Sequence, residues 1–321
     1  MTAVTTEDIM HMQSSASPIL VTGIPGNIGG VGRAIVENLR RRGLPVRALA
    51  RREDERTDAL RSLGAEIVTG DLTHPEDVRR AFEGCRRVYF GMSVSASHLE
   101  ATVIAAAVAR QRQDLEVLVN ISQMTVSQMS LTEMTGSPQH QQQWLGEQVL
   151  NWSGAPVVHV RPTVFLQHPF FTMLAVESIA RSGTIRLPFG AARTSPIDAQ
   201  DVADVVAEIL AAPKPHVGKV YELTGPRSED MNAIAAEYSE ALGRKISYLD
   251  VPPAAWHDEL RAHQFPEHLQ HHFAVMAQLH ADNRYDRLTH DVDALLGRPA
   301  TSVRAYVAKH PELWKARAIN P

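Results

Sequence analysis

The chain has 321 residues, 44% hydrophobic and 21% charged, which supports a sizeable core in one large domain or two interleaved lobes. A net charge of -4 and a pI of about 6.4 give no reason to expect nucleic acid or an acidic membrane surface as a partner. The single cysteine, Cys85, excludes an intrachain disulfide and a cysteine-cluster metal site, and no apolar run reaches membrane-spanning length, so the cytoplasm is the expected location.

Residues 1–17 are polar and read as a flexible tail rather than a signal peptide. From Pro18 onward, short β-rich runs alternate with helical segments. The strand candidates are ILVTG (19–23), VRALA (46–50), AEIVTG (65–70), RVYFGM (87–92), EVLVNIS (116–122) and PVVHV (156–160). Between them lie RAIVENLRRRG, the Asp54–Leu63 segment, PEDVRRAFEG, the Ser97–Arg112 segment and QHQQQWLGEQVLNWSG. Repeated β-α-β units predict a parallel sheet covered by helices on both faces, and right-handed crossovers make it a doubly wound Rossmann arrangement over 18–161. After Arg161-Pro162 the pattern becomes mainly helical, which predicts a smaller C-terminal substrate lobe over 162–321. Within it, SPIDAQDVADVVAEIL and KVYELTG (about 194–224) return to the sheet, and KISYLDV is a short strand.

TGIPGNIGG, the ARR that follows the second strand, GDLTHPEDVRRAFEGCRRVYF, SGAPVVHVRPTVF, PIDAQDVADVVAEIL and KVYELTGPRSEDMNAIAAEYSEALGRKISYLDVP resemble NmrA-like proteins. These are atypical short-chain dehydrogenases/reductases. The end, DVDALLGRPATSVRAYVAKHPELW, is similar to their C-terminal pattern. The resemblance runs from Pro18 to about Lys315 and implies a Rossmann fold, an NAD(P) site and a small C-terminal substrate lobe. The family contains NAD(P)H-dependent quinone, azo and dye reductases. It also contains proteins that bind the dinucleotide and regulate transcription without turnover, so membership fixes the fold more firmly than the activity.

The glycine fingerprint fits twice, as Gly23, Gly26, Gly29 and as Gly26, Gly29, Gly32. In the family the strand ends T-G and the last fingerprint glycine directly precedes the helix. Thr22-Gly23 supports the first frame, and Gly32 ahead of Arg33-Ala34-Ile35-Val36 supports the second. Both anchors hold if the loop, with Asn27 and Ile28 inside it, carries roughly three extra residues. Glycine lets a phosphate approach the backbone, where successive N–H groups and a helix N-terminus hold the anion. The second strand ends Ala50-Arg51-Arg52 where an acidic residue would select NAD(H), so NADP(H) is favoured over NAD(H), with Glu53 and Asp54 close enough to blunt the preference. The resemblance further implies that Asp71 and Leu72 hold the adenine, that Met92 and Ser93 lie beside the cofactor, and that Ser122 sits near the nicotinamide.

A typical short-chain dehydrogenase has a Ser-Tyr-Lys set. Ser122 can stand for the serine, but Gln123–Gln148 holds neither tyrosine nor lysine. NmrA-like reductases often carry histidine or lysine four residues before a glutamate. Here Glu147 is present and Gln143 takes that place, able to hydrogen-bond a ribose or substrate but unable to donate a proton as an acid. The missing acid argues against ordinary ketones and suits an acceptor that delocalises charge and takes its proton from water. His140, one turn before Gln143, and His168 are the alternative proton donors, although a hydrogen-bonded or surface histidine is the plainer reading of each. Met124, Met129, Met134 and Trp144 either line an apolar pocket or pack in a core or lid. His268 and His272 share a helical spacing without a third ligand and read as solvated helix surface, so no metal is expected. Arg40 to Arg42 complement a helix dipole. The leading expectation is an NAD(P)H-dependent reductase of a hydrophobic conjugated small molecule, quinone-, azo- or enone-like. The alternatives are a non-catalytic NADP(H) sensor acting on a protein partner and a biosynthetic enzyme with non-redox chemistry. Neither direct nucleic-acid binding nor membrane attachment is expected.

Overall fold

A computed structural model of the chain describes residues 17–24 and 30–314. The strands are β1 (Ile19–Val21), β2 (Val46–Ala50), β3 (Glu66–Thr69), β4 (Arg87–Phe90), β5 (Val117–Ile121), β6 (Val157–Pro162), β7 (Thr184–Leu187), β8 (Arg193–Thr194), β9 (Val220–Leu223), β10 (Glu229–Asp230) and β11 (Ser247–Asp250). The helices are α1 (Val31–Arg41), α2 (Glu55–Ser62), α3 (Pro75–Phe82), α4 (His98–Gln111), α5 (Pro138–Trp152), α6 (Met173–Ser182), α7 (Ala199–Ala211), α8 (Met231–Leu242), α9 (Pro253–Ala262), α10 (Glu267–Ala281), α11 (Asp291–Leu296), α12 (Val303–Lys309) and α13 (Pro311–Trp314). Among the described residues no helix is long and apolar enough to cross a membrane.

The expected α/β arrangement is present. Seven strands form one sheet in the order β3-β2-β1-β4-β5-β6-β9. The pairings that join β3 through β6 are all parallel. Helices cover both faces of such a sheet, so β1 and β4 read as near-continuous apolar runs, whereas the edge strand β3 leaves Glu66 and Thr69 exposed. The strand order reverses between β1 and β4, and that is the crevice where open α/β sheets place a ligand.

Local signals explain the element boundaries. In α1, Ile35, Val36 and Leu39 are buried, while Arg33 and Glu37 pair outside at 2.8 Å and Arg40 and Arg41 meet the negative end of the dipole. α2 begins at a capping box, with Asp54 accepting from the Arg56 N–H while Thr57 accepts from the Asp54 N–H. α8 and α12 start at Asp230 and Ser302, which cap Ala233 N and Ala305 N.

The chain divides into two compact units. Among the described residues, the first takes 17–24, 30–122, 142–161 and 203–221, and the second takes 123–141, 162–202 and 222–314. The first unit's core includes Leu20, Leu49, Phe82, Val88, Phe90 and Leu118. KVYELTG does return to the sheet, as β9 beside β6, but the expectation for SPIDAQDVADVVAEIL is corrected, since it supplies helix α7 and no strand of that sheet, its apolar residues following a helical rather than a strand period. In the second unit β7 pairs with β11 in parallel and β8 with β10 in antiparallel. Its core is aromatic, with Phe170 meeting Trp256 and Phe273 edge-on at 5.7 Å.

Candidate functional site

In the first unit the C-terminal ends of β1 and β4 are fastened together. Thr22 Oγ1 donates to Gly91 O at 2.8 Å and accepts from Gly91 N at 2.9 Å. Gly23 follows at φ 69°, and a Cβ there would stand 2.5 Å from Gly91 O, so only glycine fits. Gly32 is the second residue of α1, and a Cβ on it would stand 2.9 Å from Gly23 O and 3.0 Å from Thr22 O. This is the close helix–strand approach expected of the last fingerprint glycine. Gly23 and Gly32 therefore sit at the two anchors inferred from the sequence. Gly26, Asn27, Ile28 and Gly29 lie outside the described residues.

At the ends of β2 and β3, Arg51 Nε lies 3.3 Å from Asp71 Oδ2. Asp71 is itself held, because Oδ1 accepts from Thr73 N at 2.9 Å and Thr73 Oγ1 at 2.8 Å. Those hydrogen bonds from Thr73, with the Arg51 charge behind them, keep the Asp71 carboxyl below its ordinary pKa. Arg52 and Ser93 are exposed, and Leu72 and Met92 are half-buried against the sheet core. Ser122 is buried, and its Oγ has no hydrogen-bond partner among the described residues. Gln143 is half-buried on α5. One turn on, Glu147 is buried in a two-pronged pair with Arg161, with Oε1 accepting from Nε at 2.9 Å. Sequence reading noted Glu147 but missed this partner, because Arg161 lies on β6 and only the tertiary fold brings the two together.

In the second unit His140 and His168 are both buried. His140 Nδ1 meets Thr135 Oγ1 at 3.1 Å, and its ring lies edge-on to His272 at 5.0 Å. His168 Nδ1 accepts from Phe170 N at 3.3 Å, between the Phe170 and Phe273 rings. Burial pushes the His140 pKa down to about 3 and that of His168 well below the ordinary histidine value. The reading of His272 as solvated helix surface is corrected. His272 is buried with Nδ1 2.8 Å from Ser137 Oγ, while His268, one turn earlier, remains exposed. Helical spacing alone did not reveal the segment around Ser137 that covers it. Among the described residues no group of three or more His, Cys, Asp or Glu could hold a metal. Met124 and Met129 are buried, Trp144 is half-buried and Met134 is exposed.

The buried histidines carry a stability prediction. His98, His140, His272 and His280 are pushed by burial to about 4, 3, 4 and 3. These values lie below an unfolded value near 6.5, so between about pH 6.5 and the folded values the unfolded chain binds more protons. Stability is then full above about pH 6.5 and falls as pH drops, by up to about 1.4 kcal/mol per pH unit for each such histidine. Urea midpoints measured from pH 8 to pH 4.5 are expected to be flat at the alkaline end and to fall below about pH 6. A midpoint constant down to pH 4.5 would contradict neutral burial of these rings.

A family profile described as NAD(P)H-binding matches residues 26–213. The chain is 29% identical over 294 residues to (4-alkanoyl-5-oxo-2,5-dihydrofuran-3-yl)methyl phosphate reductase of Streptomyces griseus subsp. griseus, covering 92% of this chain and 98% of that one. It is 26% identical over 297 residues to the NAD(P)H azoreductase of Xenophilus azovorans, covering 89% and 96%. Its fold matches the Citrobacter sp. triphenylmethane reductase complexed with NADP(H), with a TM-score of 0.78 at 19% identity over 91% of this chain and 99% of that one. It also matches NmrA, a negative transcriptional regulator, in complex with NADP, with a TM-score of 0.75 at 14% identity over 95% and 99%. The chain belongs to the NAD(P)H-binding family, with the Rossmann arrangement that the NmrA-like resemblance implied.

Proposed function

We propose that this protein is an NADPH-preferring reductase of a conjugated small molecule. The observation that carries the reading is the likeness, over nearly the full length of both chains, to two reductases of different conjugated substrates. The local structure fits the cofactor. Glycine at 23 and 32 lets the end of β1, the residue after β4 and the start of α1 close up at the point where the strand order reverses, and the buried Ser122 Oγ has no partner among the described residues. In this reading Gly23, Gly32 and the intervening Gly26, Asn27, Ile28 and Gly29 face the pyrophosphate. Arg51 and Arg52 meet the 2′-phosphate, Asp71 and Leu72 the adenine, Met92 and Ser93 the adjoining ribose and phosphates, and Ser122 and Gln143 the nicotinamide end. The bound dinucleotide supplies a hydride. His140 and His168, held neutral by burial, hydrogen-bond and pack rather than donate the proton. With no tyrosine or lysine over Gln123–Gln148, water protonates the acceptor, and this confines the reaction to acceptors that spread the incoming charge.

The test is an acceptor panel followed by nicotinamide absorbance. NADPH is expected to be consumed with a quinone, an azo dye or an unsaturated lactone, and about 10²-fold more slowly with an aliphatic ketone. No turnover with any conjugated acceptor, despite calorimetric NADPH binding, would overturn the reductase reading. In the same calorimetry Arg51→Ala is expected to lose about 1–2 kcal/mol of NADPH affinity and little NADH affinity, the exposed guanidinium giving less than a buried one. Equal wild-type affinity for NADH and NADPH would remove the preference.

A further inference from the structure

We propose that the second unit binds a zwitterion with an apolar body, an apolar amino acid or short peptide, in a cavity of about 580 Å³ lined by α6, β7 and α9. The lining belongs wholly to the second unit, whereas Gly23, Gly32 and Gly91 belong to the first, and the proposal does not rest on the reductase reading. Leu174, Ser178 and Ser182 recur every four residues and so share one face of α6. The two serines are too small to fill the space that larger side chains take between packed elements, and room remains. Its volume falls in the range of small-molecule sites, about 300–1,000 Å³. Leu174 and Trp256, both buried, give it apolar walls.

The polar groups around the cavity have hydrogen-bonding capacity left over. Trp256 is 1% exposed, yet its indole N–H donates no hydrogen bond among the described residues. A buried indole N–H ordinarily finds an acceptor, so this donor awaits one that a ligand brings. At the rim, Arg181 Nη2 meets Glu177 Oε2 at 3.0 Å and Arg186 Nη2 meets Glu259 Oε1 at 2.6 Å. His263 Nε2 stands 3.8 Å from the same Glu177 oxygen. Each pair is held by a single contact, so Glu177 Oε1, Glu259 Oε2 and the other guanidinium N–H groups have no partner among the described residues. With two cations and two carboxylates the rim carries no net charge, which suits a ligand of both signs better than a simple anion or cation. Partly exposed pairs of this kind are worth about 0–1 kcal/mol, so exchanging one for a ligand's charged end costs little. In the bound arrangement the ligand carboxylate accepts from the Trp256 N–H and a rim guanidinium. Its ammonium donates to Glu177 and Glu259, and its apolar side chain lies against Leu174 and the indole.

Calorimetry of the full chain with L-leucine and with L-leucyl-L-leucine tests the site. At least one of them is expected to bind at a single site and saturate below about 1 mM. Acetylating its amine or amidating its carboxylate is expected to weaken binding about fivefold or more, because each removes one of the two charges. Trp256→Phe keeps an aromatic ring but loses the donor, and is expected to weaken binding about tenfold with unchanged circular dichroism. Should that core substitution unfold the chain, the rim carries the test. Glu177→Gln/Glu259→Gln is expected to weaken the free-amine probe and to leave the acetylated one unchanged. Saturating NADPH is expected to displace neither probe. No binding of either probe at about 10 mM would overturn the proposal. So would equal binding of the acetylated or amidated form, or indifference to both the Trp256 and the rim variants. Displacement by NADPH would do the same, since the probe would then sit in the dinucleotide crevice.

Discussion

Gly23→Ala is expected to cost about 2–4 kcal/mol of stability and to weaken NADPH binding at least tenfold, because two effects coincide there. The left-handed backbone at φ 69° disfavours any side chain, and the added methyl would stand 2.5 Å from Gly91 O and 2.8 Å from Gly91 C. The backbone of β4 cannot yield cheaply, since Gly91 is pinned to Thr22 by two hydrogen bonds. Gly30→Ala provides the comparison. Gly30 is also left-handed, at φ 62°, but an added Cβ meets nothing within 4 Å among the described residues, so the conformational cost of about 1–2 kcal/mol is the term expected there. Urea denaturation of both variants separates the terms. Equal losses would mean that the approach of Gly23 to Gly91 carries no energy of its own.

Glu147→Ala is expected to be the other severe substitution, at about 3–5 kcal/mol, because it leaves the Arg161 guanidinium without its carboxylate in a site where the two side chains are 18% and 1% exposed. The ion pair need not stabilise the fold relative to an apolar replacement. Desolvating both charges offsets much of their attraction, so Glu147→Leu/Arg161→Leu is expected to lose less than Glu147→Ala alone. A denaturant double-mutant cycle measures this coupling. A loss below about 1 kcal/mol for Glu147→Ala would mean that water reaches the guanidinium and replaces the carboxylate.

Local pattern was enough for the sheet of the first unit. VRALA was expected as a strand and is β2 residue for residue, and RVYFGM shortens to Arg87–Phe90 where Gly91 leaves the ladder to meet Thr22. A buried parallel strand needs a short apolar run, and a covering helix needs a 3.6-residue period. Both signals are written in adjacent residues. The anchors of the glycine loop were legible for the same reason, since one follows a strand and the other opens a helix.

What the sequence determined by itself was therefore the α/β class, the doubly wound sheet, and the resemblance that the NAD(P)H-binding family profile bears out. The tertiary structure alone decided which polar residues leave water. Ser137 reaches His272 across 135 positions, and Glu147 reaches Arg161 from a helix to a strand. Segment 123–141, placed by sequence before the change to helical rhythm, belongs with the second unit. The physical reason is common to all three. Periodicity reports which face of an element is apolar, but burial of a histidine or a carboxylate depends on what a distant segment lays over it, and hydrogen-bond partners so far apart leave no trace in local spacing.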